Sequence, residues 1–188
     1  MKRIVVFVSG GGTTLNALCE AAGDKLLIAA VIANKPDIPA ASIAKKHNIL
    51  YATIPKDDKN TSDWSKRLFQ WTDMLGQRPD LIALAGFNQK IFVPPEWEGR
   101  ILNIHPSLLP RFGGKGMYGI HVHRAVLASG EQYSGCTVHV VDNFYDHGPI
   151  LAQGRVPVFS QDTPETLRER VQEKERILYP QVIESYHV

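Results

Sequence analysis

Two residues able to do chemistry stand one residue apart in "ILNIHPSLLP", positions 101–110, where an apolar run ends in Asn103, Ile104 and His105 and is stopped by Pro106. In an extended strand, residues two apart leave the same face, so the Asn103 amide and the His105 imidazole project together. Ligands of open α/β sheets bind beyond the carboxyl ends of the strands, which is where this pair falls. A lone histidine is usually structural. An amide beside an imidazole at that edge is different, because together they offer two donors to an oxygen that gains negative charge during a reaction. A carboxylate comes later in the chain: "DNFYDHGP" carries Asp142 and Asp146 on a turn shaped by Gly148 and Pro149. Loop carboxylates are ordinarily only solvated. If Asp146 faces His105, however, it raises the imidazole pKa and can take up a proton, as general acid–base chemistry requires.

"SGGGTT", Ser9–Thr14, is a third candidate, a turn between a strand and a helix where free N–H groups and the helix dipole favour an anion. A merely tight turn is the alternative. The dinucleotide pattern G-x-G-x-x-G fails, since Leu15 takes the third glycine place and Asn34 ends the second strand where a ribose-binding acid belongs. No lysine follows the glycines as in a P-loop, which leaves a phosphate monoester or a similar small anion. His121 and His123, with His105 and His139, invite a metal reading, but they lie on separate segments without ligand spacing, and no metal is expected. Ser107 lacks the G-x-S-x-G context of a nucleophilic serine. Cys19 and Cys136 form no C-x-x-C pair and read as buried thiols.

The elements that must position these groups follow from apolar periodicity. "RIVVFVSG", "LLIAAVIAN", "ILYATI", "DLIALAGF" and "RILNIHP" are strands, and the first three are separated by the helical patterns "TLNALCEAA" and "IPAASIAKKHN". "TSDWSKRLFQWTDMLGQ" is a further helix with Thr61 or Ser62 as N-cap, Trp64, Leu68, Trp71 and Leu75 on one face, and Gly76 near its end. Strands apolar on both faces that alternate with helices indicate a parallel sheet covered on both sides, an α/β fold. Beyond residue 110 the pattern changes to a glycine-rich loop, "RFGGKGMYG", a short helix, "VHRAVLASG", and two strands, "CTVHVVDN" and "ILAQGRVPV", expected to pair antiparallel at the sheet edge. The last helix starts at "TPETLRERVQ", with Thr163 as N-cap and Pro164 at the first helical position.

With 188 residues, 44% apolar and 21% charged, the chain fits one domain spanning 1–188 that buries about 70% of its unfolded surface. The first strand begins too close to Met1 for a signal peptide and no stretch is apolar enough to span a membrane, so a soluble, cytoplasmic protein is expected. A net charge of +2 without a basic stripe argues against nucleic acid.

Together, "VVFVSGGGTTL", "LNIHPSLLPRF", "DHGPIL" and "RVQEKERILYPQVI" resemble the phosphoribosylglycinamide formyltransferases, a folate-dependent family of purine synthesis, almost from end to end. The resemblance implies a Rossmann-like formyltransferase domain with Asn103, His105 and Asp146 as the catalytic trio. It implies formyl transfer from 10-formyltetrahydrofolate to the amine of glycinamide ribonucleotide, with protonated His105 and Asn103 holding the oxyanion and no metal. Gly12, Thr13 and Thr14 would hold the substrate phosphate, and Gln172 and Glu175 the rest of the nucleotide. Asn88, Gln89, Lys90 and Ile91 would meet the pterin by their backbone, with Asn103, Asp142 and Tyr145 along the folate pocket. Partners are then small molecules only, for a monomer or homodimer. Three departures stand out: Thr14 replaces the asparagine of S-G-x-G-S-N, "NQKI" replaces Met-Arg-Ile-Leu, and the 111–120 loop is long, so that Lys115 and Tyr118 either reach substrate or fill the surface. Formyltransferases of methionyl-tRNA and amino sugars share H-x-S-L-L-P but usually add a second domain, for which this length leaves no room. A non-catalytic folate or nucleotide sensor would not need the trio.

Overall fold

A computed structural model describes residues 1–56 and 60–188. The chain runs β1 (Lys2–Val8), α1 (Thr13–Ala21), β2 (Leu26–Ala33), α2 (Ala40–Lys46), β3 (Leu50–Thr53), α3 (Thr61–Asp73), β4 (Leu81–Ala85), a 3-10 turn (Pro95–Trp97), β5 (Ile101–His105), α4 (Ile120–Ala128), β6 (Tyr133–Val140), β7 (Ile150–Pro157) and α5 (Pro164–Ser185). The strands form one seven-stranded sheet in the order β3-β2-β1-β4-β5-β6-β7. Strands β1 to β5 are parallel, and β6 and β7 add antiparallel at one edge, as expected of the two late apolar runs. Strand order reverses between β1 and β4, and the crevice at such a switch point is where α/β sheets take ligands.

Alternation along β1 explains why both faces are covered. Ile4, Val6 and Val8 meet Leu15 and Leu18 of α1 and Leu167, Val171 and Tyr179 of α5, while Val5 and Phe7 meet Trp64, Leu68 and Phe69 of α3 with Trp97. Each such side chain contributes roughly 1.5–3 kcal/mol by leaving water. Strand β5 continues the rule: Leu102 and Ile104 join the α1/α5 side and Ile101 the α3 side, so Asn103 and His105 extend the face of Ile101.

Thr163 and Thr166 cap α5 reciprocally, each hydroxyl accepting from the other's backbone N–H at 3.2 and 3.0 Å, with Pro164 in the first turn. The fully buried Tyr179 hydroxyl lies 3.1 and 2.8 Å from the Leu84 and Leu102 carbonyls, pinning α5 to the ends of β4 and β5. The expected cap of α3 is corrected. Asn60, not Thr61 or Ser62, is extended and accepts from the N–H groups of Ser62 and Asp63, because its amide oxygen reaches back over the first turn. Cys19 and Cys136 are buried free thiols, and burial pushes them up to about 11 and about 12, where they are unreactive. No helix among the described residues is long and apolar enough to cross a membrane.

Candidate active site

A cavity of about 490 Å³ opens where β1, β4, β5 and β6 end at the switch point. Antiparallel register puts His139 of β6 directly across from Asn103 of β5, and Thr137 across from His105. The Asn103 amide donates to His139 Nε2 at 3.0 Å. His139 Nδ1 is 2.9 Å from the Val140 carbonyl, which only accepts, so the proton of a neutral His139 sits on Nδ1 and its Nε2 is free to accept. The loop between β6 and β7 then returns Asp146 to this point, its Oδ1 lying 3.5 Å from His105 Nδ1 and 3.6 Å from His139 Nε2. Asp146 is held in the left-handed region at φ 50, a conformation aspartate tolerates better than most residues, and Gly114 N–H donates to its Oδ2 at 2.9 Å. Gly148 makes the return possible, since a Cβ there would lie 1.9 Å from the Val140 carbonyl oxygen. The approach of Asp146 to His105, open in the sequence, is present.

Its electrostatic outcome differs from the expectation. His105 is 4% exposed, and burial lowers its pKa in net although Asp146 and the Phe112 carbonyl both act to raise it. The imidazole is therefore neutral before substrate arrives, with Nε2 donating to the Phe112 carbonyl at 2.8 Å and a bare Nδ1 toward Asp146. Burial also works against the Asp146 charge, but the Gly114 N–H and the positive charge that His139 and His105 carry once protonated outweigh it and hold this carboxyl below its ordinary value. The cavity thus pairs an ionised carboxylate with a neutral imidazole.

The remaining sequence candidates distribute around that centre. Thr14 of α1 and Gln172 and Glu175 of α5 line the cavity. Gly12 and Thr13 do not form its wall: Gly12 is the N-cap of α1 at φ 78, where a Cβ would meet Ile43 Cδ1 at 2.6 Å, and Thr13 is exposed. Glu175 is 7% exposed and burial raises its carboxyl to about 8, so it is protonated at neutral pH. Asn88, Gln89, Lys90 and Ile91, which follow β4, line it too, as do Asp142 and Tyr145, which follow β6. Gln89 accepts from Lys56 at 3.0 Å, and Lys90 sits over the Tyr145 ring at 5.6 Å. Asp142 is engaged within its own loop, accepting from Phe144 N–H at 2.8 Å and pairing with His147 at 2.7 Å. Tyr118 also lines the cavity, edge-on to His121, whereas the exposed Lys115 does not.

Sequence reasoning missed several contributors. His139 entered only as a possible metal ligand, yet it orients Asn103 and approaches Asp146. Ser107 is structural, its hydroxyl donating to the Arg111 carbonyl at 2.8 Å, while Thr137 holds the Ser107 carbonyl and the Leu109 N–H. His123 and Arg168 also belong to the wall. Their helical positions were legible, but their convergence depends on how α4 and α5 pack. Among the described residues no three His, Cys, Asp or Glu side chains gather in a way that would hold a metal ion.

Comparison with known proteins places this geometry. A family model described as Formyl transferase matches residues 2–183. The chain is 42% identical over 188 residues to the chloroplastic phosphoribosylglycinamide formyltransferase of Arabidopsis thaliana, covering 97% of this chain but 64% of that protein, so it spans somewhat less than two thirds of the plant relative's length. It is 36% identical over 188 residues to phosphoribosylglycinamide formyltransferase of Escherichia coli K12, covering 96% of this chain and 85% of that one. Among solved structures, phosphoribosylglycinamide formyltransferase of Coxiella burnetii in complex with CHES superposes with a TM-score of 0.88 at 37% identity, covering 100% of this chain and 90% of that chain.

Proposed function

The chain belongs to the formyl transferase family, and from that premise we propose that residues 1–188 act as one domain transferring the formyl group of 10-formyltetrahydrofolate to the primary amine of glycinamide ribonucleotide in purine synthesis. The observation that carries the reading is the Asn103–His139–Asp146–His105 cluster, which shares one cavity with Thr14, Gln172 and Glu175 and with 88–91, Asp142 and Tyr145. Nucleotide on the first group of residues and folate on the second bring amine and formyl carbon together at the cluster. The Gly12–Thr14 turn is assigned to the phosphate, with Thr14 as its contact in the wall and Gly12 and Thr13 contributing backbone N–H groups behind it.

The amine nitrogen bonds to the formyl carbon and the carbonyl π pair moves to oxygen. Asn103 has a second amide N–H not used by His139, and it donates to that oxygen. The proton lost by the amine passes through a water to Asp146 and is shared with His105 Nδ1, so an imidazolium forms as the oxyanion grows. The C–N10 bond of the folate then breaks, its electron pair returns to N10, and the proton follows. Over the cycle one proton moves from amine to N10, and the protein ends as it began with no covalent bond to the substrate.

The test mixes the protein with 10-formyl-dideazafolate and glycinamide ribonucleotide and follows release of the deformylated folate by absorbance. Turnover with an amino-sugar nucleotide and none with glycinamide ribonucleotide overturns the assignment.

A further inference from the structure

Arg168 lies in the second turn of α5, four residues before Gln172 and seven before Glu175, so the three share the cavity-facing side of the helix. It is half-buried, its Nε is shielded from solvent without a hydrogen-bond partner, and among the described residues no carboxylate approaches it within ion-pair distance. A guanidinium keeps its charge and carries five donors, so burying one without an anion is costly. Two residues on, Arg170 shows the satisfied alternative: it grips both Asp162 oxygens at 2.7 and 2.8 Å. A second buried group, on another helix, is also unsatisfied. His123 of α4 is 1% exposed, lines the same cavity, and has an unpartnered Nδ1. It is pushed down to about 4, first by burial and then by the Arg168 charge. The other cations of the wall are placed differently. Lys90 lies over the rings of Phe92 and Tyr145, and Lys35 is exposed in the turn after β2. The start of α1 has no side-chain cap, and its Thr14 lines the same cavity as Arg168.

Resting on the reading of this cavity as a nucleotide site, we propose that Arg168 binds the phosphoryl group of the amine substrate and makes the chain select phosphorylated over dephosphorylated amines. The planar guanidinium suits two oxygens of a phosphomonoester dianion, which a flexible ammonium would hold as a point charge.

The experiment compares wild type with Arg168→Ala, Arg168→Gln and Arg168→Lys, each checked for folding by circular dichroism. Arg168→Ala should raise KM for glycinamide ribonucleotide roughly 10- to 100-fold while kcat and the KM for the folate stay within about threefold. Arg168→Lys should recover part of that loss. Glycinamide riboside, which lacks the phosphate, should not distinguish wild type from variant, and ribose 5-phosphate should bind the variant weaker by the same factor in calorimetry. If Arg168→Ala fails to fold, the glutamine and lysine variants decide. An unchanged nucleotide KM, or equal losses with nucleotide and riboside, overturns the proposal. The calorimetry separates it from the reaction itself. Ribose 5-phosphate affinity that depends on Arg168, in a protein with no turnover, removes the proposed reaction but keeps the phosphate site. Turnover with affinity independent of Arg168 does the reverse.

Discussion

Replacing Asp146 by asparagine removes one charge and almost no volume, so it isolates what the carboxylate does for His105. Asp146 Oδ1 lies 3.5 Å from His105 Nδ1 in a setting largely shielded from water. At an effective dielectric constant near 20, a unit charge pair at that distance is worth about 5 kcal/mol, or between three and four decades of rate if it is felt only once the imidazolium has formed. The amide keeps part of this through its dipole and can still accept from Gly114 N–H, so the expected fall in kcat is about two to four orders of magnitude. Because His105 is neutral before reaction, little of the interaction exists in the ground state, and KM for both substrates should change by less than about threefold. Steady-state absorbance kinetics read both parameters. Thermal unfolding adds a sign: the folded Asp146 carboxyl titrates below its ordinary value, so its contribution is present above about pH 4 and lost as pH falls through the depressed pKa. The variant should therefore show a flatter acid limb of stability. Retention of more than a tenth of wild-type kcat would refute the relay.

Glu175→Gln tests a buried acid of opposite sense: its pKa rises from 4.5 unfolded to about 8 folded, so wild-type stability is intact below pH 4.5 and falls as pH rises toward 8, by an amount on the order of 5 kcal/mol, whereas the glutamine variant should lose this slope in denaturant titrations between pH 5 and 9. A slope that persists in the variant places its origin elsewhere. Tyr179→Phe removes a hydroxyl placed between two strand carbonyls and should cost about 1–2 kcal/mol, seen as a Tm lower by roughly 2–8 °C, with kcat within about threefold if the ends of β4 and β5 hold their place.

The parallel part of the sheet was legible because its strands are apolar on both faces, which records two covering layers directly in the residue order. The pairing of Asn103 with His105 was equally legible, since side chains two apart on a strand must share a face. What concerned a second segment was harder to read. His139 became a partner of Asn103 only through the antiparallel register of β6, which no local pattern in "CTVHVV" reveals. The direction of the His105 shift was missed for a related reason: the sequence suggested the nearby carboxylate but not the depth of burial, and burial is the larger effect. Thr14 reaches the cavity while Gly12 and Thr13 do not, because α1 starts at Thr13 and its first turn rotates successive residues by about 100°, presenting only one of them inward. Asn60 outranked Thr61 and Ser62 as a cap because helix entry is set by where the backbone turns from extended to helical, one residue earlier than the polar run implied.

Of the three carboxyl groups that line the cavity, Glu175 and Asp146 are held in opposite states. Burial keeps Glu175 protonated up to about 8, with the Arg176 charge acting against it. Asp146 is also shielded, yet a backbone N–H, and the two imidazoles as they become protonated in acid, keep it ionised. The difference therefore lies in the donors, and donors can be removed. Of the groups that lower the Asp146 pKa, His139 has the largest effect, at 3.6 Å from Oδ1. His139→Phe keeps a ring in place but removes that effect, so the Asp146 carboxyl should move up toward the state of Glu175. A relay that needs ionised Asp146 then fails at higher pH than in the wild type, and the acid limb of the kcat/KM profile should shift to higher pH by about one unit or more. Loss of the Asn103 contact should lower the plateau as well, but a lower plateau alone does not move the limb. If the limb stays where it is in the wild type while the plateau falls, His139 serves only to orient Asn103, and some other group keeps Asp146 charged.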